Sequence, residues 1–131
     1  MKVRDYVAVL DVGRALKPAA IEGQIHGGVA QGVGLALYEQ VPYDETGQPL
    51  AASFIDYPLP TAQRVPNVEP VLVEVQAADG PFGAKGVGEP PVVAGAAAIA
   101  NAVADARGVR ISELPIKSER LFQALSAGSA H

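Results

Sequence analysis

"GQIHGGVAQGVG", residues 23–34, decides the fold, because it has the periodicity of a helix and the composition of a loop. Apolar and small residues recur at Ile21, Ile25, Gly28, Val29, Gly32 and Ala36, a spacing that gathers them on one helical face. Five of the twelve positions are glycine. Each glycine inside a helix costs about 1 kcal/mol relative to alanine, so five approach the roughly 5–15 kcal/mol that stabilises a whole domain. Gly23, Gln24, Gly27, Gln31 and Gly34 project to the opposite side. They leave a smooth backbone surface edged by two amides where a solvated helix would carry charge. Two explanations are open at this point. Either another helix or a sheet packs against the glycines, or a bound ligand does, met by the donor and acceptor of each glutamine.

Working outward, Pro18 suits a first helical turn, so the spacing predicts a helix over about 18–40. "DYVAVLDVG" (5–13) reads as a largely buried strand through Val7 and Val9, stopped by Gly13. Downstream, "YDETGQPL" reads as a hairpin or loop, and "AASFIDYPLP" (51–60) as a short strand interrupted by prolines. "EPVLVEVQ" (69–76) alternates Val71, Val73 and Val75 against Leu72 and Glu74, a strand with one largely buried face. A second helix over about 92–106 places Val92, Ala96, Ile99 and Val103 on one stripe among alanines, and Gly108 closes it. A last short helix is expected after Ser118 as N-cap, then a flexible tail over 125–131. The fold class is α+β: short mixed strands packed with a long Gly-rich helix and an Ala-rich one.

Composition narrows the function. The 131 residues are 49% hydrophobic, enough for a core, and contain no cysteine, so the chain itself cannot build a disulfide, a thiolate metal site or an iron–sulfur cluster. A net charge of −4 with scattered Lys and Arg argues against nucleic-acid binding. The longest apolar run, "PPVVAGAAAIANAV", falls short of the about 20 residues that span a membrane, and the N-terminus lacks a signal-peptide core, so a cytoplasmic location is expected. Neither a dinucleotide fingerprint after a strand nor a P-loop occurs.

A second glycine cluster, "FGAKGVGEPP" (82–91), ends on Glu89 immediately before a proline-started helix. Its carboxylate is either a helix-end acid worth about 0.3–1 kcal/mol or a general base beside a ligand cradled by the backbone of Gly86 to Glu89. A carboxylate in solvent favours the first, one facing a cavity the second.

Taken together, "DVGRALKPAAIEGQIHGGVAQGVGLALYE", "YDETGQPLAASFIDYPLPTA", "GAKGVGEPP" and "AGAAAIANAVADA" resemble the C-terminal end of the molybdopterin-binding large subunit of the xanthine dehydrogenase and aldehyde oxidase family of molybdenum hydroxylases, aerobic carbon monoxide dehydrogenases included. The resemblance runs in order from about residue 4 to residue 124. It implies that residues 1–124 form the C-terminal module of a larger multidomain subunit. It further implies that Glu89 is the general base taking a proton from a molybdenum-bound hydroxyl, that Gln24 hydrogen-bonds the pterin, and that the backbone of Gly86, Val87 and Gly88 lines the metal centre. The molybdenum–pterin cofactor is expected in its cytosine dinucleotide form. The metal is held by pterin sulfurs, so no protein metal ligand is assigned. FAD and 2Fe–2S clusters are expected in iron–sulfur and flavin partner subunits, and the rest of the large subunit in the N-terminal direction. Because that rest would complete the cofactor site and the substrate funnel, the isolated chain is expected to be inactive. It would be a split subunit, a truncated reading frame or an expressed fragment. The alternative is a non-catalytic pterin-binding or assembly module. Purines, aldehydes, N-heterocycles and carbon monoxide are not distinguished by these residues.

The remaining candidates have plainer roles. His26 is expected to pack or to make a surface hydrogen bond. Lys85 either neutralises an anionic cofactor or is solvated. Asp56 and Tyr57 match a recurrent family "DY" and are expected to be structural, with the tyrosine hydroxyl needing a partner. Asp44 and Glu45 belong to an exposed loop.

Overall fold

A computed structural model describes residues 1–128. Two strands, β1 (Asp5–Asp11) and β2 (Asn67–Val73), pair in parallel with Asp5 opposite Asn67 and Asp11 opposite Val73. Four α-helices accompany them among the described residues, α1 (Pro18–Leu37), α2 (Pro90–Val93), α3 (Gly95–Arg107) and α4 (Ser118–Gly128), with a single 3-10 turn at Pro81–Gly83. α1 packs against both the sheet and the α2–α3 pair, and the core forms around it from Ile21, Ile25, Val29, Val33, Ala36 and Leu37, joined by Val12, Val68, Ile99 and Ile116. The α+β class is as expected, with both strands short.

The helical face predicted to be the core face is the buried one, and its glycines have a visible purpose. A Cβ on Gly28 would strike the ring of Pro91, and one on Gly32 would stand 3.0 Å from the Cα of Gly95. Helix axes normally lie 8–10 Å apart according to the side chains between them, so two facing glycines allow backbone-to-backbone contact. Close packing thus accounts for Gly28 and Gly32, which belong to the core face and not to the opposite face whose glycines were in question.

Several expectations are corrected. α1 stops at Leu37 rather than near residue 40, because the amides of Tyr38 and Glu39 both return to the carbonyl of Gly34, at 2.9 and 2.8 Å. The helix predicted over 92–106 is two helices joined at Ala94, a break that lets Gly95 sit against Gly32. Gly108, at φ 70°, is the left-handed stop expected of it. β1 is not largely buried: Val7 and Val9 are 58% and 65% exposed, while Tyr6, Ala8 and Leu10 turn inward. β2 ends at Val73, and its inward face is Val68, Pro70 and Leu72, so the valines at 71 and 73 face out.

"AASFIDYPLP" forms no strand. Ser53 makes a turn there, its carbonyl accepting from the amides of Asp56 and Tyr57 and its hydroxyl donating to the Asp56 carboxylate at 3.0 Å. "YDETGQPL" is the expected hairpin-like loop, closed by a bridge between Tyr43 and Pro49 and filled by Asp44, whose Oδ1 accepts from the amides of Thr46 and Gln48. The first bond of α4 runs from the Leu121 amide to the Lys117 carbonyl, so Lys117 and not Ser118 holds the cap position. Of the tail expected over 125–131, residues 125–128 are helical and 129–131 lie outside the described residues.

Candidate functional site

The first wall of the site is the outward face of α1. Gly23, Gln24, Gly27 and Gln31 are all exposed, and nothing lies within 4 Å of where a Cβ would stand on Gly23 or Gly27. That face was predicted to be buried, and within this chain it is open. Gly34 leaves the set, because it is buried beneath the Glu39 side chain.

The second wall is the loop from Gly86 to Glu89. Val87 turns inward and packs against the core, which leaves Gly86 and Gly88 on the surface on either side of it. Gly88 comes next to α1: the Gln24 Oε1 lies 4.0 Å from its Cβ position. Gln24 and Gly88 thus meet at the surface although they are far apart in sequence, and Gly86 and Glu89, on the same loop as Gly88, are exposed as well.

Glu89 sits at the cap position of α2 and its carbonyl accepts from the Val92 amide at 3.1 Å, yet its carboxylate makes no capping bond. The cause is the pair of prolines behind it. Pro90 and Pro91 carry no N–H, and the next amide, that of Val92, is taken by the Glu89 carbonyl, so no free donor is left for a capping carboxylate. α2 is also only four residues long, leaving little dipole for the acid to complement. The carboxylate is exposed. The helix-end role lacks its hydrogen bond, and the cavity that a base would face is not built by the described residues alone.

The loop is fastened to the end of β1. The Arg14 amide donates to the Gly83 carbonyl at 2.9 Å, and the Lys85 amide to the Val12 carbonyl at 3.0 Å. Gly13, at φ 65°, permits this approach, since any Cβ there would collide with the Gly83 carbonyl. Lys85 neither is free in solvent nor points to the glycine face. Its ammonium donates to Asp11 Oδ2 at 2.6 Å, and Asp11 Oδ1 accepts from the amides of Gly13 and Val75 at 2.9 and 3.2 Å. The Lys85 ammonium first, and then the two amides, hold the Asp11 carboxyl down at about 2. Sequence reasoning missed Asp11; the signal was its place directly before a strand-ending Val-Gly. On the same segment Phe82 takes a left-handed conformation, φ 56°, rare for a bulky side chain.

The other candidates fall into place. His26 Nδ1–H donates to the Glu22 carbonyl at 2.6 Å, the surface hydrogen bond expected. The Tyr57 hydroxyl donates to Glu39 Oε2 at 2.7 Å, which raises its pKa and supplies the partner it needed. Among the described residues no group of three or more His, Cys, Asp or Glu is arranged to hold a metal ion. No described helix is long and apolar enough to cross a membrane. A groove of about 1090 Å³ lies elsewhere, between β1 and the helices α3 and α4, and none of Gln24, Gly86, Val87, Gly88 and Glu89 lines it.

Comparison with known families matches residues 1–66 to the molybdopterin cofactor-binding domain. The chain belongs to the molybdenum hydroxylase family. Among relatives of this family, the gamma subunit of the 6-hydroxypseudooxynicotine dehydrogenase complex of Paenarthrobacter nicotinovorans is 47% identical over 115 residues, 86% of this chain and 14% of that protein. The large chain of carbon monoxide dehydrogenase from Afipia carboxidovorans is 43% identical over 105 residues, 80% of this chain and 13% of that one. Quinoline 2-oxidoreductase from Pseudomonas putida 86 has the same fold over 95% of this chain and 16% of its own, with a TM-score of 0.90 at 37% identity. The chain therefore spans only 13–14% of the length of these two curated family relatives.

Proposed function

We propose that this chain supplies one wall of the cofactor site of a molybdenum-dependent hydroxylase, with Glu89 as general base and Gln24 as a hydrogen-bonding partner of the pterin. The observation that carries the reading is the approach of Gln24 Oε1 to within 4.0 Å of the Gly88 Cβ position, which puts Gln24 beside the loop that ends in Glu89. Gly23 and Gly27 add open space beside that amide, so a flat heterocycle can approach the α1 backbone closely while its polar edge meets Gln24. The residues present fit a pterin. When bound, the cofactor supplies the two-electron acceptor that this chain lacks. Gly86, Val87 and Gly88 present backbone toward it, and Val87 holds that backbone in place by packing into the core. The Glu89 carboxylate, without a capping bond to satisfy it, is available to accept a proton at its oxygens.

The rest of the site, in this reading, comes from the N-terminal part of a large subunit, and FAD and 2Fe–2S clusters reside in partner subunits. The cytosine dinucleotide form of the cofactor and a cytoplasmic location belong to the same proposal. The substrate is a small molecule of the class the relatives' names describe: an aldehyde, a purine, an N-heterocycle or carbon monoxide. Alone, the chain is inactive, because a base without the redox centre has nothing to deprotonate.

The test is Glu89→Gln in the molybdenum-loaded enzyme that contains this chain. Molybdenum content should stay near that of the parent while turnover falls at least about 10²–10⁴-fold, the range for loss of a general base. Unchanged turnover would remove the catalytic assignment and leave a pterin-binding or assembly module.

A further inference from the structure

We infer that Asp11 is a positioning residue for the Glu89 loop: its carboxylate ties Lys85 to the end of β1 and so sets where Gly86–Glu89 stand against α1. The inference rests on the proposed role of Glu89 and extends it to a residue outside the glycine motifs. One carboxylate gathers three donors from three segments: the Gly13 amide, the Val75 amide after β2, and the Lys85 ammonium. The backbone bonds from Lys85 to Val12 and from Arg14 to Gly83 run alongside, so residues 83–85 form a short ladder with residues 12–14. The four residues that follow Lys85 lead directly to Glu89.

The far end of the loop is fastened as well. Pro91 is buried against Gly28, one helical turn beyond Gln24. A loop held at Lys85 and at Pro91, with Val87 packed inward between them, has little freedom to move Gly88 or Glu89 relative to Gln24. The ion pair is 35% and 38% exposed, so its worth as an isolated surface pair is small. Its consequence lies in geometry, since displacing a reacting group by about 1 Å can cost about a hundredfold in rate.

This assignment also decides what Lys85 does. If the ammonium serves Asp11, removing either partner breaks the same contact, and removing both does no further harm. If it served the anionic cofactor directly, the two losses would multiply.

The experiment compares Asp11→Asn, Lys85→Met and the double variant in the molybdenum-loaded enzyme that contains this chain, reading kcat, KM, molybdenum content and amide exchange. Asp11→Asn keeps an oxygen for the two amides and replaces the charged acceptor that faces Lys85 with an uncharged NH2 donor. We expect kcat to fall about ten- to a hundredfold with KM and molybdenum content nearly unchanged, and the double variant to match the worse single one. The Lys85 amide should exchange at least about tenfold faster in Asp11→Asn, while that of Val29 in α1 keeps its rate. An unchanged Lys85 exchange rate overturns the clamp, whatever the turnover. Faster exchange with parental kcat overturns its link to Glu89, and multiplied losses in the double variant reassign Lys85 to the cofactor. Failure of the Glu89 role itself is read separately, from Glu89→Gln.

Discussion

Alanine at Gly27 and alanine at Gly28 should move stability in opposite directions, although the two residues are neighbours in the same helix. At Gly27 nothing lies within 4 Å of the new Cβ, so the substitution recovers helix propensity alone, a gain of up to about 1 kcal/mol. At Gly28 the same gain is opposed by collision with Pro91, a ring that is buried and cannot rotate away, with its carbonyl carbon at 3.1 Å and the Val92 nitrogen at 3.2 Å. Overpacking of this kind costs about 1–3 kcal/mol, and the rigid contact puts Gly28 at the upper end, for a net loss of about 2 kcal/mol. Urea unfolding followed by far-ultraviolet circular dichroism reads both. With an m-value of roughly 2 kcal/mol/M, the midpoint should rise about 0.5 M for Gly27→Ala and drop about 1 M for Gly28→Ala. A lower midpoint for Gly27→Ala, or an unchanged one for Gly28→Ala, would refute the division of the glycines into a packing set and an open set. The variants also separate fold from cofactor: Gly27→Ala should be more stable as a protein and poorer at retaining molybdenum.

Three further outcomes are expected. Gln24→Ala should lower molybdenum retention in the assembled enzyme while changing the unfolding free energy of the chain by less than about 0.5 kcal/mol, as an exposed side chain allows; full occupancy measured by metal analysis would count against the pterin contact. Ile116→Ala, at a fully buried side chain whose amide donates to the Ala36 carbonyl at 2.7 Å, should cost about 2–5 kcal/mol by calorimetry, and a loss well under 1 kcal/mol would mean the site is not packed. Asp11 is more acidic in the folded chain, at about 2 against an ordinary 3.8, so its contribution is complete above pH 4 and is lost as the pH falls from there toward 2. The midpoint of Asp11→Asn should therefore change less across pH 5 to 2 than that of the parent, and identical slopes would show the carboxylate is not held as described.

What was legible in the sequence was what local chemistry dictates. The start of α1 at Pro18, its inward face, the left-handed stop at Gly108 and the loop around Asp44 each depend on residues within a turn or two. What was not legible depends on partners distant in the chain. The break at Ala94 lets Gly95 reach Gly32, and Lys85 was ambiguous because its partner, Asp11, lies far off in sequence at the end of β1. The strands misled for a different reason. Branched residues such as Val7 and Val9 mark a strand well and its buried face poorly, since strands of parallel sheets carry them on either face, and here the face bearing these two is open. In the site, Gln24 and the Gly86–Glu89 loop were found as separate motifs. Their meeting needed α1 and α2 to be packed, and the freedom of the Glu89 carboxylate needed the backbone bonds at Pro90 and Pro91 to be counted.

The parallel pairing of Asp5–Asp11 with Asn67–Val73 has a consequence for how the chain reaches this state. The sheet cannot begin until the whole of α1 and the loops after it have been made, and closing so long a segment carries an entropy cost that a two-stranded parallel ladder repays only in part. α1, the element synthesised in between, is itself a poor helix on its own because of its glycines. Neither can form first and wait for the other. Residues 5–73 should therefore collapse together, late, when α2 and α3 arrive to cover Gly28 and Gly32, and during that interval the backbone edges of both strands are open to any other chain that can pair with them.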